Sequence, residues 1–199
     1  MIILGIDPGT AITGYGIIST TKPKDEKQDK NEKPKVIDFG CIITSGKSPA
    51  GQRLHAIHNA VNELIKKHQP DVISVESLYF FKNLKTAIPV SQSKGVILLS
   101  AAKQNIPVCE FTPLQVKMTV AGYGRAEKKQ VQEMTRQLLD LGNFDLKEKD
   151  RNKDDASDAL GIALCAFLRG IIWPGKLAQI FPLKVLWKDR GLTMLCEKI

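Results

Sequence analysis

Five carboxylates stand out by position: Asp7, Glu76, Asp154, Asp155 and Asp158. Asp7 closes the apolar run that begins at Ile2 and is followed at once by Pro8-Gly9, and Glu76 closes Asp71-Val72-Ile73-Ser74-Val75 in the same way. Short apolar runs bounded by turn residues read as buried strands, and in open α/β sheets ligands gather at the carboxyl ends of such strands. Two parallel neighbouring strands ending on acids at one sheet edge would bring Asp7 and Glu76 within reach of one metal ion. Asp7 alone reads equally well as the start of an Asx-turn, so the other acids carry the weight. Asp155 and Asp158, at 100° per residue, are neighbours on one face of a helix beginning near Asp154, bordering the apolar face of Ala156, Leu160, Ala163 and Phe167. Asp154 with Asp158 is an alternative pair, and Asp154 is also well placed as the N-cap. Like charges this close are costly unless a cation lies between them, and carboxylate oxygens favour Mg²⁺ or Mn²⁺.

The elements that must position these acids alternate between strand and helix patterns. After the Pro8-Gly9-Thr10 turn, Thr13–Thr20 predicts a second strand, with Gly14 and Gly16 leaving room for close backbone approach. Lys22–Lys35 holds six lysines and four acids without apolar periodicity, which predicts a solvated hairpin tip before a third strand over Val36–Thr44. Leu54, Ile57, Val61, Leu64 and Ile65 recur at helical spacing between Ala50 and His68, and Pro70 follows as a stop. His55 and His58 on that helix have no further ligand nearby and read as a solvated face rather than a metal site. A helix from about Pro89 to Gln104, with Pro89 in its first turn, a strand over Pro107–Phe111 and a closing helix ended by Gly170 complete the plan. Beyond Glu76, the aromatic cluster Leu78–Asn83 with Lys82 and Lys85 fits a surface that stacks on bases and holds phosphates. Gly122-Tyr123-Gly124, followed by Arg125–Gln130 opening a helix, makes a generic anion-binding turn strengthened by the basic residues.

The 199 residues suit one domain, with 43% apolar and 25% charged residues and a formal charge of +8 that makes a polyanionic partner plausible. No run approaches a transmembrane length, and the start Met1-Ile2-Ile3-Leu4 lacks the basic leader of a secretory signal, so the expectation is a cytoplasmic protein without membrane contact. Cys41, Cys109, Cys165 and Cys196 are scattered without a Cys-x-x-Cys pair, against a zinc site or a disulfide framework.

Several stretches together resemble the RuvC Holliday-junction resolvases: GIDPGT followed by GYG, VES with Tyr79 three residues after Glu76, Gln92-Ser93-Lys94-Gly95, LQVKMTVAGYGRAEKKQV over Leu114–Val131, and DASDALGIAL over Asp155–Leu164. The resemblance spans most of residues 1–168. It implies an α/β, RNase H-like fold with a five-stranded mixed sheet flanked by helices, as a nuclease domain over residues 1–170, and leaves 171–199 as an extension without a counterpart. It further implies a homodimeric, metal-dependent endonuclease acting on four-way junction DNA, with a branch-migration motor complex as an associated partner. Asp7, Glu76, Asp155 and Asp158 match the family's catalytic acids, which chooses Asp155 over Asp154. Tyr79 matches its junction-stacking aromatic, and Lys117 and Lys128 match basic residues near the cleaved strand. With those acids, two Mg²⁺ ions about 4 Å apart, replaceable by Mn²⁺ and bridged by Asp7, would stabilise an in-line phosphodiester displacement leaving 5′-phosphate and 3′-hydroxyl ends. The Lys22–Lys35 tip, Pro89 with Ser91, and the tail depart from the family pattern. An actin-like ATPase would need a second nucleotide-binding half. An inactive RNase H-like DNA-binding module and a same-fold nuclease for other branched DNA are the remaining alternatives.

Overall fold

The computed structural model describes residues 1–20, 33–77, 84–142 and 151–170, with side chains for all of these except 84–86 and 151–153. Strand β1 (Ile2–Asp7) pairs antiparallel with β2 (Ile12–Ser19), which pairs antiparallel with β3 (Lys35–Ile43). Helix α1 (Ala50–His68) returns the chain to β4 (Val72–Glu76), parallel to β1, and α2 (Leu84–Lys103) returns it to β5 (Val108–Phe111), parallel to β4. The sheet order is therefore β3-β2-β1-β4-β5. Helices α3 (Pro113–Ala121), α4 (Lys128–Leu138) and α5 (Arg151–Leu168) follow. This is the five-stranded mixed sheet flanked by helices expected from the sequence.

Strand parity decides which helices each face meets, because successive side chains point to opposite sides of a sheet. Leu4, Ile6, Ile17, Ile73 and Val75 pack with Ile57, Val61 and Ile65 of α1 and Ile97 and Ala101 of α2. Ile3, Ile18 and Val72 pack instead with α5, through Leu160, Ile162, Ala163 and Leu164. The α5 side of the sheet is floored by small residues. A side chain at Gly5 would strike the carbonyl of Ala159, one at Gly14 that of Asp155, and one at Gly16 the side chain of Leu160. Ser74 donates a buried hydrogen bond to the carbonyl of Ile162 at 2.9 Å. These small side chains let α5 lie directly on the backbone of β1, β2 and β4.

Three expectations need correction. Helix α2 begins at Leu84, so Pro89 lies inside it rather than in its first turn. A proline at this depth forgoes one backbone hydrogen bond and crowds the carbonyl four residues before it, a cost that the burial of Ile97 and Ala101 farther along α2 must outweigh. Helix α5 begins at Arg151, which places Asp154 within its first turn and not at the N-cap. Helix α4 starts at Lys128 behind Glu127, leaving Arg125 on the preceding turn. His55 is exposed, as a solvated face predicts, whereas His58 is half-buried against α2. His55 Nε2 meets Asn59, and His58 meets Ser100 of α2 and Asn62.

Candidate active site

The parity that sends Ile3 and Gly5 toward α5 sends Asp7 there too, and Val72 and Ser74 do the same for Glu76. Asp7 ends β1 and Glu76 ends β4 next door, so both acids reach the same corner beneath α5. Helix α5 brings Asp155 and Asp158 down to them, seated by the contact between Gly14 and the Asp155 carbonyl. Carboxylate oxygens of Asp7, Asp155 and Asp158 lie within 4.8 Å of one another, and no other such group of acids, histidines or cysteines gathers among the described residues. Glu76 stands beside this trio, close enough for its charge to act on Asp7 and to feel Asp158.

The electrostatics follow from burying four acids together. Burial, then the charges of Glu76, Asp158 and Asp155, push the Asp7 carboxyl up to about 8, with Lys128 pulling the other way. Burial and Asp158 raise Glu76 to about 7, against the pull of Lys128 and Lys117. Asp155 and Asp158 are also raised, chiefly by burial. Burial opposes the charge on Lys128, but its hydrogen bond to Asp158 and the surrounding acids outweigh that and hold it above its ordinary value.

One cation is set among these acids by contact. Lys128 Nζ lies 2.7 Å from Asp158 Oδ2, and the buried Gln132 one helical turn along α4 donates to Asp158 Oδ1 at 3.3 Å. The remaining excess of negative charge, and a donor set made only of carboxylate oxygens, fits a hard divalent cation. A second set of bonds fixes the turn after Asp7. The buried Thr13 hydroxyl donates to the Gly9 carbonyl at 2.6 Å. Thr44 at the end of β3 reaches over from its amide to the Ala11 carbonyl at 2.9 Å and from its hydroxyl to the Thr10 carbonyl. Arg53 Nε donates back to that hydroxyl at 3.0 Å.

The structure thus brings together Asp7, Glu76, Asp155, Asp158, Lys128 and Lys117. Arg125 is exposed on the turn before α4, and Lys85 falls in α2 with its side chain outside the described atoms. Tyr79 and Lys82, with the aromatic cluster around them, and the Lys22–Lys35 tip as far as Glu32 lie outside the described residues. Sequence reasoning missed Gln132, Thr13, Thr44 and Arg53. Gln132 carried a signal, since it sits four residues after Lys128 and therefore on the same helix face.

Comparison with known proteins bears on this arrangement. Residues 3–166 match the family described as Crossover junction endodeoxyribonuclease RuvC. The Crossover junction endodeoxyribonuclease RuvC of Alkaliphilus metalliredigens is 49% identical over 165 residues, covering 83% of this chain and 92% of that relative. Thermus thermophilus RuvC, solved in complex with Holliday junction substrate, superimposes with a TM-score of 0.73 at 31% identity over 88% of this chain and 97% of that one. The yeast mitochondrial Holliday junction resolvase Ydc2, at 17% identity and a TM-score of 0.59, shares the fold over 90% of this chain and 86% of its own.

Proposed function

This chain belongs to the RuvC family of crossover junction endodeoxyribonucleases, and from that membership we propose a metal-dependent resolvase of four-way DNA junctions whose reaction is carried by Asp7, Glu76, Asp155 and Asp158. The observation that carries the reading is the convergence of Asp7, Asp155 and Asp158 within 4.8 Å, drawn from opposite ends of the chain. The proposed metal is Mg²⁺, two ions per site with Mn²⁺ as a substitute, held by these acids with Glu76 at their side. When bound, such ions polarise a phosphodiester and make water a competent nucleophile near neutral pH. The protein's own residues prepare for that. Gln132 and Lys128 fix the two oxygens of Asp158. Because Lys128 is engaged by Asp158, Lys117 is the better placed to receive a phosphate beside Glu76. The Thr13 and Thr44 bonds hold the turn after Asp7 in one shape. Hydrolysis would leave 5′-phosphate and 3′-hydroxyl ends.

A four-way junction has near two-fold symmetry, which a C2 dimer can match with one site per strand. Helix α2 supports such pairing, since Ile88, Gln92, Gly95 and Leu99 lie exposed along one stripe, with Ile88 62% and Leu99 55% accessible. Among the described residues no helix is long and apolar enough to cross a membrane. We take residues 1–170 as the nuclease domain, the cytoplasm as its location, and Tyr79, Lys82, Lys85, Arg125 and a branch-migration motor as further contacts of the junction-bound enzyme.

Cleavage of a labelled immobile four-way junction in Mg²⁺, beside linear duplex and a flap, tests this reading. Wild type should place symmetric nicks on the junction alone, and Asp7→Asn should bind without cutting. Tight junction binding with no cutting in Mg²⁺ or Mn²⁺ would instead indicate a non-catalytic module, and equal cutting of the flap a broader branched-DNA nuclease.

A further inference from the structure

We propose that Tyr123, backed by Leu114 and Met118, is a platform on which a nucleotide next to the scissile phosphate packs its base. The three side chains are 46%, 60% and 49% exposed. Leu114 and Met118, four residues apart on α3, share one face of that helix, and Gly124, next in sequence to Tyr123, lies so close to them that a side chain there would strike Leu114 and touch Met118. Most exposed aromatic rings on turns can swing. This one is held, since Tyr123 Oη donates to Gln130 Oε1 at 2.6 Å, and that oxygen also accepts the amide of Glu127 at 2.8 Å. Gly122, with φ of +83°, lets the chain leave α3 and turn toward α4 with the tyrosine at its tip. A ring whose polar end is satisfied within the protein offers its apolar body at low entropic penalty.

The surroundings say what should cover it. The same stretch of chain, Leu114–Gln130, carries Lys117, Arg125, Lys128 and Lys129 against the single acid Glu127. Lys128 touches Asp158, and Lys117 is near enough for its charge to act on Glu76. The patch is therefore at the lip of the acidic corner. A second copy of this chain is a poor occupant, because a two-fold contact would set these cations against themselves. A DNA strand supplies both halves of what is needed, phosphates for these cations and a base or sugar face for the ring.

The inference rests on the resolvase reading, and the experiment separates the two. Junction binding by fluorescence anisotropy and junction cleavage are measured for full-length wild type, Tyr123→Ala and Tyr123→Phe. Each protein is tested on the intact junction and on junctions with single abasic positions flanking the cut. Tyr123→Ala should weaken binding about tenfold, within the range for loss of one stacked base, while Tyr123→Phe, which keeps the ring but releases it from Gln130, should fall between wild type and the alanine variant. On the junction lacking the contacted base, the alanine variant and wild type should bind alike. Unchanged binding by Tyr123→Ala overturns the proposal. So does a loss that persists on every abasic junction, or a change in oligomeric state. Wild type that binds with this tyrosine dependence yet never cuts would keep the nucleotide contact and remove the resolvase reading.

Discussion

Asp7 carries a consequence for stability that can be read apart from catalysis. Its carboxyl is raised from 3.8 to about 8 in the fold, first by burial and then by the neighbouring acids. A carboxyl raised in this way binds its proton more tightly folded than unfolded. It therefore leaves stability untouched below about pH 4, erodes it as pH climbs toward 8, and reaches its full effect above that. In EDTA at pH 8, Asp7→Asn should be more stable than wild type by roughly 2–3 kcal/mol, a rise of several degrees in Tm, with the gap closing near pH 4.5. Differential scanning calorimetry at the two pH values checks this, and an equal gap at both would assign the gain to packing instead. Added Mg²⁺ should stabilise wild type far more than the variant. At this scale the sequence was partly legible. Asp7 and Glu76 were visible as acids closing apolar runs, but helical periodicity left Asp154 and Asp155 as rivals. The family resemblance chose Asp155, and the structure supplies a physical reason in Gly14, which seats the backbone of Asp155 and leaves Asp154 exposed one position away. Gln132 was passed over because a lone glutamine on an amphipathic helix looks like surface until its carboxylate partner is known.

The site exists at the scale of elements because α5 lies on a glycine floor. An added methyl at Gly14 would sit 2.1 Å from the Asp155 carbonyl oxygen, so Gly14→Ala must lift the start of α5 off β2. The expected loss is roughly 2–4 kcal/mol, with junction cleavage falling further than stability alone explains. Gly51, in α1 with open space around it, makes the contrast, and Gly51→Ala should raise stability by about 0.5 kcal/mol through the unfolded chain. Urea unfolding of the three proteins decides the matter, and indistinguishable midpoints for Gly14→Ala and wild type would sink the account. Strand positions were legible to within a residue or two because their apolar runs are short and bounded by turn residues. Helix starts were less so. Pro89 favours a first turn and Asp154 an N-cap, and α2 and α5 begin ahead of both, as tertiary packing can override a preference of this size. The Arg53–Thr44–Thr10 chain joins residues 34 and 9 positions apart, a relation that no local pattern encodes.

Taken whole, the chain is a basic body around one acidic corner, with the exposed stripe of α2 that carries Ile88 and Leu99 borne by a helix on the face of the sheet opposite α5. If two copies pair through that stripe, Leu99→Glu should convert a dimer to a monomer by light scattering and turn paired nicks on one junction into independent single ones. A wild type that is monomeric at micromolar concentration would remove the pairing. The net charge of +8 pointed to a polyanion from the outset but not to where it would bind, since charge totals carry no position. The acidic corner also sets an order in time. Asp7 ends β1, the first element, whereas Asp155 and Asp158 belong to α5, the last element among the described residues. A nascent or prematurely terminated chain can thus build most of its sheet while lacking two of the three clustered carboxylates. If the clustered acids carry the proposed reaction, a fragment ending before residue 155 would hold only Asp7 of the trio and should be inert, so the order of synthesis itself would withhold the activity until α5 is made.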